Sequence, residues 1–416
     1  MKEDLPAWLD EHFLYLVLQG KELYNGTISI INYSVQPAVA PGNNFASNLY
    51  RVNLYYSDES LKNMYLSLIV KVPSTKGFLG EYLEVMDLFG KERKMYDTIL
   101  PMFKETLRKE LGPISLHCPL RKGLVLMDLT EEGYKMCNKW KRLDFPHCKL
   151  VIKAIAKYHA ASVLCYHNDP KLVESVSKEV VYPDGGPYEK ELKVWVETSV
   201  ENIARKLSKI KDCKLYADYI LGKLDKIWKS AKGMCKRKAT GLNVLNHGDL
   251  WANNVLFKYN SFNEVEDVKF IDFPIARFTS PVLDLMYFLW MSASERVLSD
   301  RQEELYNIYL LNLNYHLQQL GCVERMSREE LLHDLHSLSD WALLTICLFI
   351  PNVMSEPEDF SIEDFSMEDV ENGKTSECFQ KLLNGKSFTE LLPLLVKLFM
   401  DWKQSIRQFS NVFSRV

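Results

Sequence analysis

The chain has 416 residues, of which 47% are hydrophobic and 25% charged, a globular composition with room for two lobes or two domains. Its 51 basic and 55 acidic residues nearly cancel, so the charge predicts neither a nucleic acid nor an anionic membrane as partner. An acidic N-terminus, short apolar runs and nine scattered cysteines argue against a signal peptide or a membrane span and predict a reduced, cytoplasmic protein.

The first part of the chain has the alternating pattern of a sheet. Residues 5–18 carry the apolar spacing of an amphipathic helix, and this spacing returns at residues 80–109. Alternation between turn signals predicts strands, which are residues 27–35, 46–56 and 64–73. Residues 114–129 have the pattern of a hairpin with "RKG" as its turn. We therefore predict a sheet-rich region that ends near residue 128.

Helical spacing dominates the rest of the chain. Helices are predicted at residues 144–164, 188–236, 299–320 and from 327 to the end. The later strands are predicted at residues 255–259 and 268–273. The acidic segment 355–377 is interpreted as a solvated loop, and a lid or acceptor-site loop is the alternative. The fold class predicted from these elements is α+β.

A buried lysine and a buried glutamate are predicted in the first part. Lys71 lies inside the apolar pattern of a strand, where an ammonium group needs a carboxylate or a phosphate. Glu92 falls on the apolar face of the following helix, whereas Lys91, Arg93 and Lys94 fall outside it. We expect Lys71 and Glu92 to pair and to hold the α- and β-phosphates of a nucleotide. A snorkelling lysine with a half-exposed glutamate is the alternative.

Two further segments are candidates for contacts with a nucleotide. The turn before the strand of Lys71 has small residues whose backbone N–H groups can approach phosphates. Because the turn contains only one glycine, an ordinary hairpin turn without a ligand is the alternative. Its candidate residues are Gly42, Asn43, Asn44, Phe45 and Ser47. The end of the hairpin at residues 114–129 is expected to link two lobes, and backbone groups at Asp128 and Leu129 are expected to meet an adenine edge.

The stretch "NHGDLWANNVLF" concentrates polar side chains at the start of an apolar strand. Asp249 and Asn254 have the HxDxxxxN spacing of a phosphoryl-transfer site, in which Asp lies near the attacking hydroxyl and the Asn amide oxygen binds Mg²⁺. Asp272 follows on the next strand and is expected to be the second metal ligand. His247 is expected to orient the loop, and Asp284 to accept hydrogen bonds from its backbone. The alternative for Asp249 is a helix cap, and the alternative for Asp272 is a strand end whose carboxylate has its hydrogen bonds satisfied within the protein.

These motifs together resemble those of the ecdysteroid kinase-like family (CHK kinase-like) of arthropods, which is related to choline kinases and aminoglycoside phosphotransferases. The resemblance covers nearly the whole chain and is carried by "GNNFASNLYRV", "IVKVP", "FGKERKMYDTILP", "LVLMDL", "AKYHAAS", "NHGDLWANNVLF" and "VKFIDFPIARFTSPVLDLMYFL". It implies a protein-kinase-like fold with two lobes, a small sheet-rich N-lobe in residues 1–128 and a larger, mostly helical C-lobe in residues 129–416.

The resemblance also implies Mg²⁺- and ATP-dependent phosphorylation of a hydroxyl on a small molecule, with ecdysteroids as the named substrates of the family. It makes Asp249 the catalytic base and assigns the metal to Asn254 and Asp272. Two positions depart from the family pattern: Pro274 replaces the usual Gln after the metal-binding Asp, and Met127 replaces the usual Glu before Asp128. Neither change removes a charged catalytic group.

Other functions remain open at this point. A catalytically weak, kinase-like binding protein is one, and a choline- or ethanolamine-type kinase or a detoxification kinase for a foreign alcohol is another. A protein kinase is disfavoured, because eleven residues between Asp272 and Asp284 leave no room for an activation segment.

Overall fold

The computed structural model describes residues 5–20, 28–39, 47–58, 62–74, 77–354 and 377–413. Four of the residues predicted to contact phosphates, Gly42, Asn43, Asn44 and Phe45, lie outside these ranges. The acidic segment also falls outside them, except for its last residue. Ser47, the fifth candidate in the phosphate turn, is buried at the start of a strand.

The strands confirm the predicted sheet of the first part. They are β1 Ser29–Pro37, β2 Ser47–Ser57, β3 Asn63–Pro73, β4 Ser115–Leu116, β5 Leu124–Met127, β6 Tyr134–Met136, β7 Val244–Asn246, β8 Val255–Tyr259, β9 Val265–Phe270 and β10 Arg277–Thr279. The first sheet is antiparallel, with the strand order β1-β2-β3-β5-β4. The strands β6, β8 and β9 form a second antiparallel sheet, and β7 pairs with β10.

Helices make up most of the chain after β5. In chain order the helices are α1 Glu11–Gln19, α2 Gly77–Val85, α3 Leu88–Lys94, α4 Leu100–Leu107, α5 Phe145–Asn168, α6 Pro170–Val176, α7 Glu189–Ser208, α8 Lys214–Leu221, α9 Leu224–Cys235, α10 Val282–Ser292, α11 Glu295–Asp300, α12 Gln302–Gln319, α13 Arg328–Ser337, α14 Asp340–Leu344, α15 Ile350–Val353, α16 Glu377–Asn384 and α17 Lys386–Phe413. Two π-helical turns, Met95–Ile99 and Thr345–Phe349, continue α3 and α14. The α+β class is thus confirmed, and the division after residue 128 stays a prediction.

The first sheet and α1 share a small core of their own. On β2, Val52 and Tyr56 are buried between more exposed neighbours, as the alternation predicts. The helix α1 begins at Glu11, later than the predicted residue 5, because the Asp10 side chain accepts a hydrogen bond of 2.9 Å from the Phe13 N–H and caps the helix.

The helix α10 lies at the centre of the helical core. All its residues, from Val282 to Ser292, are buried, and a helix that is buried all round must satisfy its polar side chains inside the protein. It packs against α14 and the π-helical turn Thr345–Phe349. This position fixes Asp284 and Tyr287 on a rigid element.

Some strand predictions differ from the structure. The strands β6, β7 and β10 have three residues each, too few for a period of two to be visible in the sequence. The strand predicted at residues 268–273 is β9, which starts earlier, at Val265, and ends at Phe270. Asp272 therefore lies beyond the strand, in an irregular segment.

Lys91 is buried, which corrects the prediction that it lies off the buried face of its helix. It is 5% exposed, and its Nζ donates to the Lys178 carbonyl at 2.7 Å and to the Ala276 carbonyl at 3.4 Å. Burial lowers the pKa of Lys91 to about 7. The pattern missed this because α3 is covered on more than one side, and a single apolar stripe describes only one.

Among the described residues, no helix combines the length and the apolar composition that a membrane-spanning segment requires. The described cysteines are free thiols, most of them buried.

Candidate functional site

The loop between β7 and β8 carries the Asp and Asn of the HxDxxxxN pattern. The Asn254 N–H donates to the Trp251 carbonyl at 2.9 Å, which turns the chain back on itself. The Nδ2 of Asn254 then donates to the Asp249 carbonyl at 2.9 Å and to Asp249 Oδ2 at 2.8 Å. Because the amide nitrogen faces Asp249, the amide oxygen of Asn254 is directed elsewhere and is available as a ligand.

Asp284 fixes the start of this loop by accepting hydrogen bonds from its backbone. Its carboxylate is 1% exposed and accepts the His247 N–H at 2.7 Å and the Gly248 N–H at 3.0 Å. Its Oδ2 also lies 3.1 Å from His159 Nε2. Burial would raise the pKa of Asp284, but the hydrogen bond and the charge of His159 keep that pKa below its ordinary value. These are the backbone contacts expected for Asp284, and His159 is buried, as a core histidine is.

Gly248 occupies a position that only glycine fits. Its φ is +88°, and a Cβ built on it would lie 2.0 Å from the Ile275 carbonyl oxygen. The loop therefore crosses the segment after Asp272 at a distance that excludes any side chain.

We expect Gly248→Ala to lower the free energy of unfolding by at least ~2 kcal/mol, because the left-handed backbone and the close carbonyl each penalise a Cβ. Chemical denaturation measures the loss. Gly233→Ala is the matched control, since Gly233 lies in α9 with open space around its Cα; this change should be neutral or slightly stabilising. Equal stability of Gly248→Ala and the parent would contradict the close crossing.

His247 connects the two halves of the site. Its Nδ1 accepts the Asp249 N–H at 3.3 Å, and its Nε2 lies 3.1 Å from the Ile271 carbonyl. This pairing requires a neutral ring with its proton on Nε2, and burial lowers the pKa of His247 accordingly. The ring also packs on Phe273, with centroids 4.4 Å apart. His247 thus ties the loop of Asp249 to the segment of Asp272.

Lys71 is bonded to two carboxylates. Its Nζ lies 2.8 and 2.9 Å from the Glu92 oxygens and 2.7 Å from Asp272 Oδ1. Lys71 and Glu92 are 7% and 1% exposed, so the predicted pair forms in the interior. Burial would lower the pKa of Lys71, but the two carboxylates raise it. In turn, Lys71 keeps the pKa of Asp272 below its ordinary value although burial acts in the opposite direction.

Asp272 has a strained backbone. Its φ of +70° lies in the left-handed region, which a non-glycine residue adopts at a cost that neighbouring contacts must offset. One such contact is the Tyr96 hydroxyl, which accepts the Asp272 N–H at 2.9 Å. Tyr96 lies in the π-helical turn after α3, and its pattern in the sequence marks it only as an apolar-face residue.

Asp249 accepts hydrogen bonds from two side chains and lies near a second carboxylate. The Tyr287 hydroxyl donates to its Oδ1 at 2.8 Å, while Asn254 donates to Oδ2. Burial, and then the charge of Asp272, raise the pKa of Asp249 to about 6. The Asp272 carboxylate and the amide oxygen of Asn254 are hard oxygen donors, which is the type of ligand that Mg²⁺ prefers. Tyr287 was not predicted as a site residue, because a tyrosine in the wholly apolar stretch of α10 gives no polar signal in the sequence.

The residues predicted to contact an adenine lie at the end of β5, and that role stays a prediction. The Asp128 side chain accepts from Arg51 Nε at 2.6 Å, from the Ser67 hydroxyl at 3.0 Å and from the Thr130 N–H at 3.0 Å. The Asp128 N–H donates to the Ser67 carbonyl. Leu129 begins a 3-10 turn, so its N–H has no acceptor within that turn.

The departures from the family pattern do not disturb these contacts. Met127 remains in β5 and donates its N–H to the Ile114 carbonyl at 2.9 Å. Pro274 lies in a turn two residues after Asp272, whose own backbone bond to Tyr96 is made.

The chain matches a known protein family and several solved structures. A search among curated proteins gave no match. A solved structure from Ralstonia eutropha JMP134, assigned as an aminoglycoside phosphotransferase, aligns over 94% of this chain and 98% of its own, with 11% identity and a TM-score of 0.45. The family model of the ecdysteroid kinase-like family matches residues 41–322, which is most of the chain and includes Lys71, Glu92, Asp249, Asn254 and Asp272. The chain therefore belongs to the ecdysteroid kinase-like family, and its antiparallel sheet followed by a mostly helical part agrees with the predicted α+β class.

Proposed function

We propose that this protein is a kinase that transfers the γ-phosphoryl group of ATP, with Mg²⁺, to an alcohol hydroxyl of a small molecule. The observation that carries the proposal is the position of one buried ammonium, Lys71 Nζ, against both Glu92 and Asp272. Asp249, bonded to Asn254, is close enough to Asp272 for the charge of Asp272 to raise the pKa of Asp249. Phosphoryl transfer requires few covalent steps from the protein and depends on placing charges at the phosphates and the acceptor. This arrangement supplies them.

The contacts of these residues support a separate role for each of them in the proposed reaction. Asp249 orients the acceptor hydroxyl and takes its proton, while the acceptor oxygen bonds to the γ-phosphorus and the bond from that phosphorus to the bridging oxygen of ADP breaks. Asn254 and Asp272 would hold Mg²⁺, which neutralises phosphate charge when bound. Lys71, fixed by Glu92, would contact the phosphates, and the Leu129 N–H would meet the adenine. His247 and Asp284 position the loop.

The proposal also covers the chemical class of the acceptor. We assign it to the apolar alcohols, with ecdysteroids as the first candidates because of the family, and we expect no nucleic acid or membrane partner and a cytoplasmic location. The raised pKa of Asp249, about 6, supports its role, because a carboxylate with this pKa accepts a proton more readily than an ordinary Asp and is still ionised near neutral pH.

We expect Mg²⁺ with ATP to raise the melting temperature of the protein in a concentration-dependent way, since a ligand that binds only the folded state adds about 2.7 kcal/mol at one hundred times its Kd. The shift should depend on Mg²⁺ and should be lost in Asp272→Ala. A thermal-shift titration measures both effects. Asp300→Ala is the control, because Asp300 is exposed at the end of α11 and its loss should leave the shift intact.

Two other outcomes of the thermal-shift titration would contradict the proposal. If millimolar ATP gives no shift with or without Mg²⁺, the nucleotide-site assignment is wrong. If the shift occurs but no alcohol is phosphorylated, the chain is a kinase-like binding protein instead.

A further inference from the structure

A histidine, a cysteine and a glutamate that are far apart in the chain meet at one end of the packed helices α5 and α12. His167 lies in the last turn of α5, while Cys322 and Glu324 follow the end of α12. A ring nitrogen, the thiol sulfur and a carboxylate oxygen of these three side chains lie within 4.8 Å of one another. Imidazole, thiolate and carboxylate are the side-chain ligands that Zn²⁺ takes in proteins. The cluster shares no residue with the proposed kinase site.

The carboxylate of Glu324 is only half satisfied. Its Oε1 lies 2.7 Å from His167 Nε2, but its Oε2 is buried and accepts no hydrogen bond from any residue that the structure describes. The adjacent Arg325 does not supply one, because its Nη1 donates to the backbone carbonyls of Cys322 and Glu324 at 2.8 and 2.5 Å. A buried carboxylate oxygen without a partner costs free energy, and a bound cation would remove that cost.

The turn that carries Cys322 and Glu324 is fixed at both ends. The Cys322 N–H donates to the Leu317 carbonyl at 3.0 Å, as in the Schellman motif that closes a helix. Two residues after Glu324, the Met326 N–H and carbonyl bond to the side chain of Asn314 at 3.0 and 2.8 Å. Because the turn is bonded to α12 in this way, binding a ligand there requires little ordering of the backbone.

An ordinary surface pair of histidine and glutamate is the alternative. The side chains of His167 and Glu324 are 39% and 34% exposed, and a pair of this kind contributes little stability in water. Such a pair leaves the buried Oε2 of Glu324 unexplained. A reactive cysteine is not favoured either, because burial raises the pKa of the Cys322 thiol and a protonated thiol is a poor nucleophile. The three side chains together therefore favour a metal ion.

We propose that His167, Cys322 and Glu324 bind Zn²⁺, with a water molecule as the fourth ligand. Zinc bonds of about 2.0–2.3 Å place tetrahedral ligand atoms roughly 3.3–3.8 Å apart, a separation that side-chain rotation within this cluster can reach. The thiolate selects Zn²⁺ over Mg²⁺, which prefers oxygen ligands. On binding, the Cys322 thiol releases its proton to solvent and the sulfur bonds to the metal.

The zinc would join two helices that support the loop of Asp249. His159 on α5 lies 2.8 Å from the hydroxyl of Tyr309 on α12 through its Nδ1, and 3.1 Å from Asp284 through its Nε2. A metal at one end of the helix pair would therefore hold in place the residues on which Asp284 depends. The proposed role is structural, and it does not depend on the kinase function.

Isothermal titration of the full chain with Zn²⁺ measures the stoichiometry and the Kd, with a non-thiol reductant and excess Mg²⁺ present. We expect one Zn²⁺ per chain, and a Kd at least ~100-fold higher in Cys322→Ser and in His167→Gln, because losing a ligand costs more than losing a group that orients one. Zn²⁺ should raise the melting temperature of the parent more than that of either variant. Co²⁺ in place of Zn²⁺ should give a thiolate-to-cobalt charge-transfer band that Cys322→Ser lacks.

Two matched controls carry the same substitutions outside the cluster. Cys137→Ser replaces a partly buried thiol and His333→Gln an exposed imidazole, and both should bind Zn²⁺ as the parent does. Asp272→Ala should also bind Zn²⁺ normally, which separates this site from the kinase site. A Kd in the millimolar range, or equal binding by the parent, Cys322→Ser and His167→Gln, would mean an adventitious ion only and would overturn the proposal. Should Cys322→Ser unfold, the exposed position of His167 keeps His167→Gln as a decisive variant.

Discussion

Replacing Asp249 by Asn is expected to lower the rate of phosphoryl transfer at least ~10³-fold, within the range that removal of a general base produces. The amide has nearly the same shape, so the loop should keep its fold. It cannot take the proton of the acceptor, and its NH₂ group replaces one of the oxygens that now accept from Tyr287 and Asn254. The rate is measured from the formation of ADP in a coupled assay, and detection of the phosphorylated acceptor confirms the transfer.

The control for Asp249→Asn separates chemistry from binding. The Mg²⁺- and ATP-dependent thermal shift should persist in the variant, because Asn254, Asp272 and Lys71 remain. Asp300→Asn, at an exposed site, should retain full activity. Transfer at the parental rate in Asp249→Asn would remove the base assignment, whereas loss of the thermal shift would mean that Asp249 itself contributes to nucleotide or metal binding.

Lys71→Met is expected to have the second large effect, on stability and on nucleotide binding together. The variant leaves Glu92, 1% exposed, without its cation, and breaking a buried ion pair from one side costs about 3–5 kcal/mol. Urea denaturation at neutral pH measures this loss. The Mg²⁺- and ATP-dependent thermal shift should also vanish, because the ammonium proposed to contact the phosphates is gone.

Two further variants sharpen this test. In Lys71→Met combined with Glu92→Gln, the most deeply buried carboxylate loses its charge together with its cation, so part of the stability should return while the thermal shift stays absent. Asp272 keeps its charge, but its side chain is 29% exposed and water can solvate it. Lys104→Met is the matched control, because Lys104 pairs with Glu110 at 2.7 Å but is 51% exposed at its side chain; such a pair contributes less than about 1 kcal/mol. A Lys71→Met protein as stable as the parent would show that the buried pair is not formed.

The local parts of the site were readable from the sequence. Asp249 and Asn254 lie in one loop, so their spacing alone brings them together. Lys71 and Glu92 were found because each interrupts an apolar pattern, and a charge that interrupts such a pattern must be paired when the pattern is buried. The strands of the first sheet were found for a related reason, since their alternation reflects one face on the core.

The parts of the site that depend on contacts between residues far apart in the chain could not be predicted from the sequence. Tyr96 meets Asp272 and Tyr287 meets Asp249 only after the chain has folded, and a tyrosine on an apolar face gives no sign that its hydroxyl has a specific acceptor. The π-helical turn that carries Tyr96 has no signature in apolar spacing. Lys91 was misassigned because its two acceptors are backbone carbonyls, which every residue possesses and which no sequence pattern marks.

The contacts of Lys91 have a consequence for regulation. Lys91 adjoins Glu92 on α3, and its Nζ bonds to the carbonyls of Lys178 and Ala276 in the helical part. An outward swing of such a helix is a common way to switch off kinase-like enzymes, because it separates the lysine from the glutamate. Here that swing would break the hydrogen bonds that the buried amino group of Lys91 donates to the two carbonyls. We therefore expect a constitutively assembled enzyme, whose output is set by how much protein and acceptor the cell supplies.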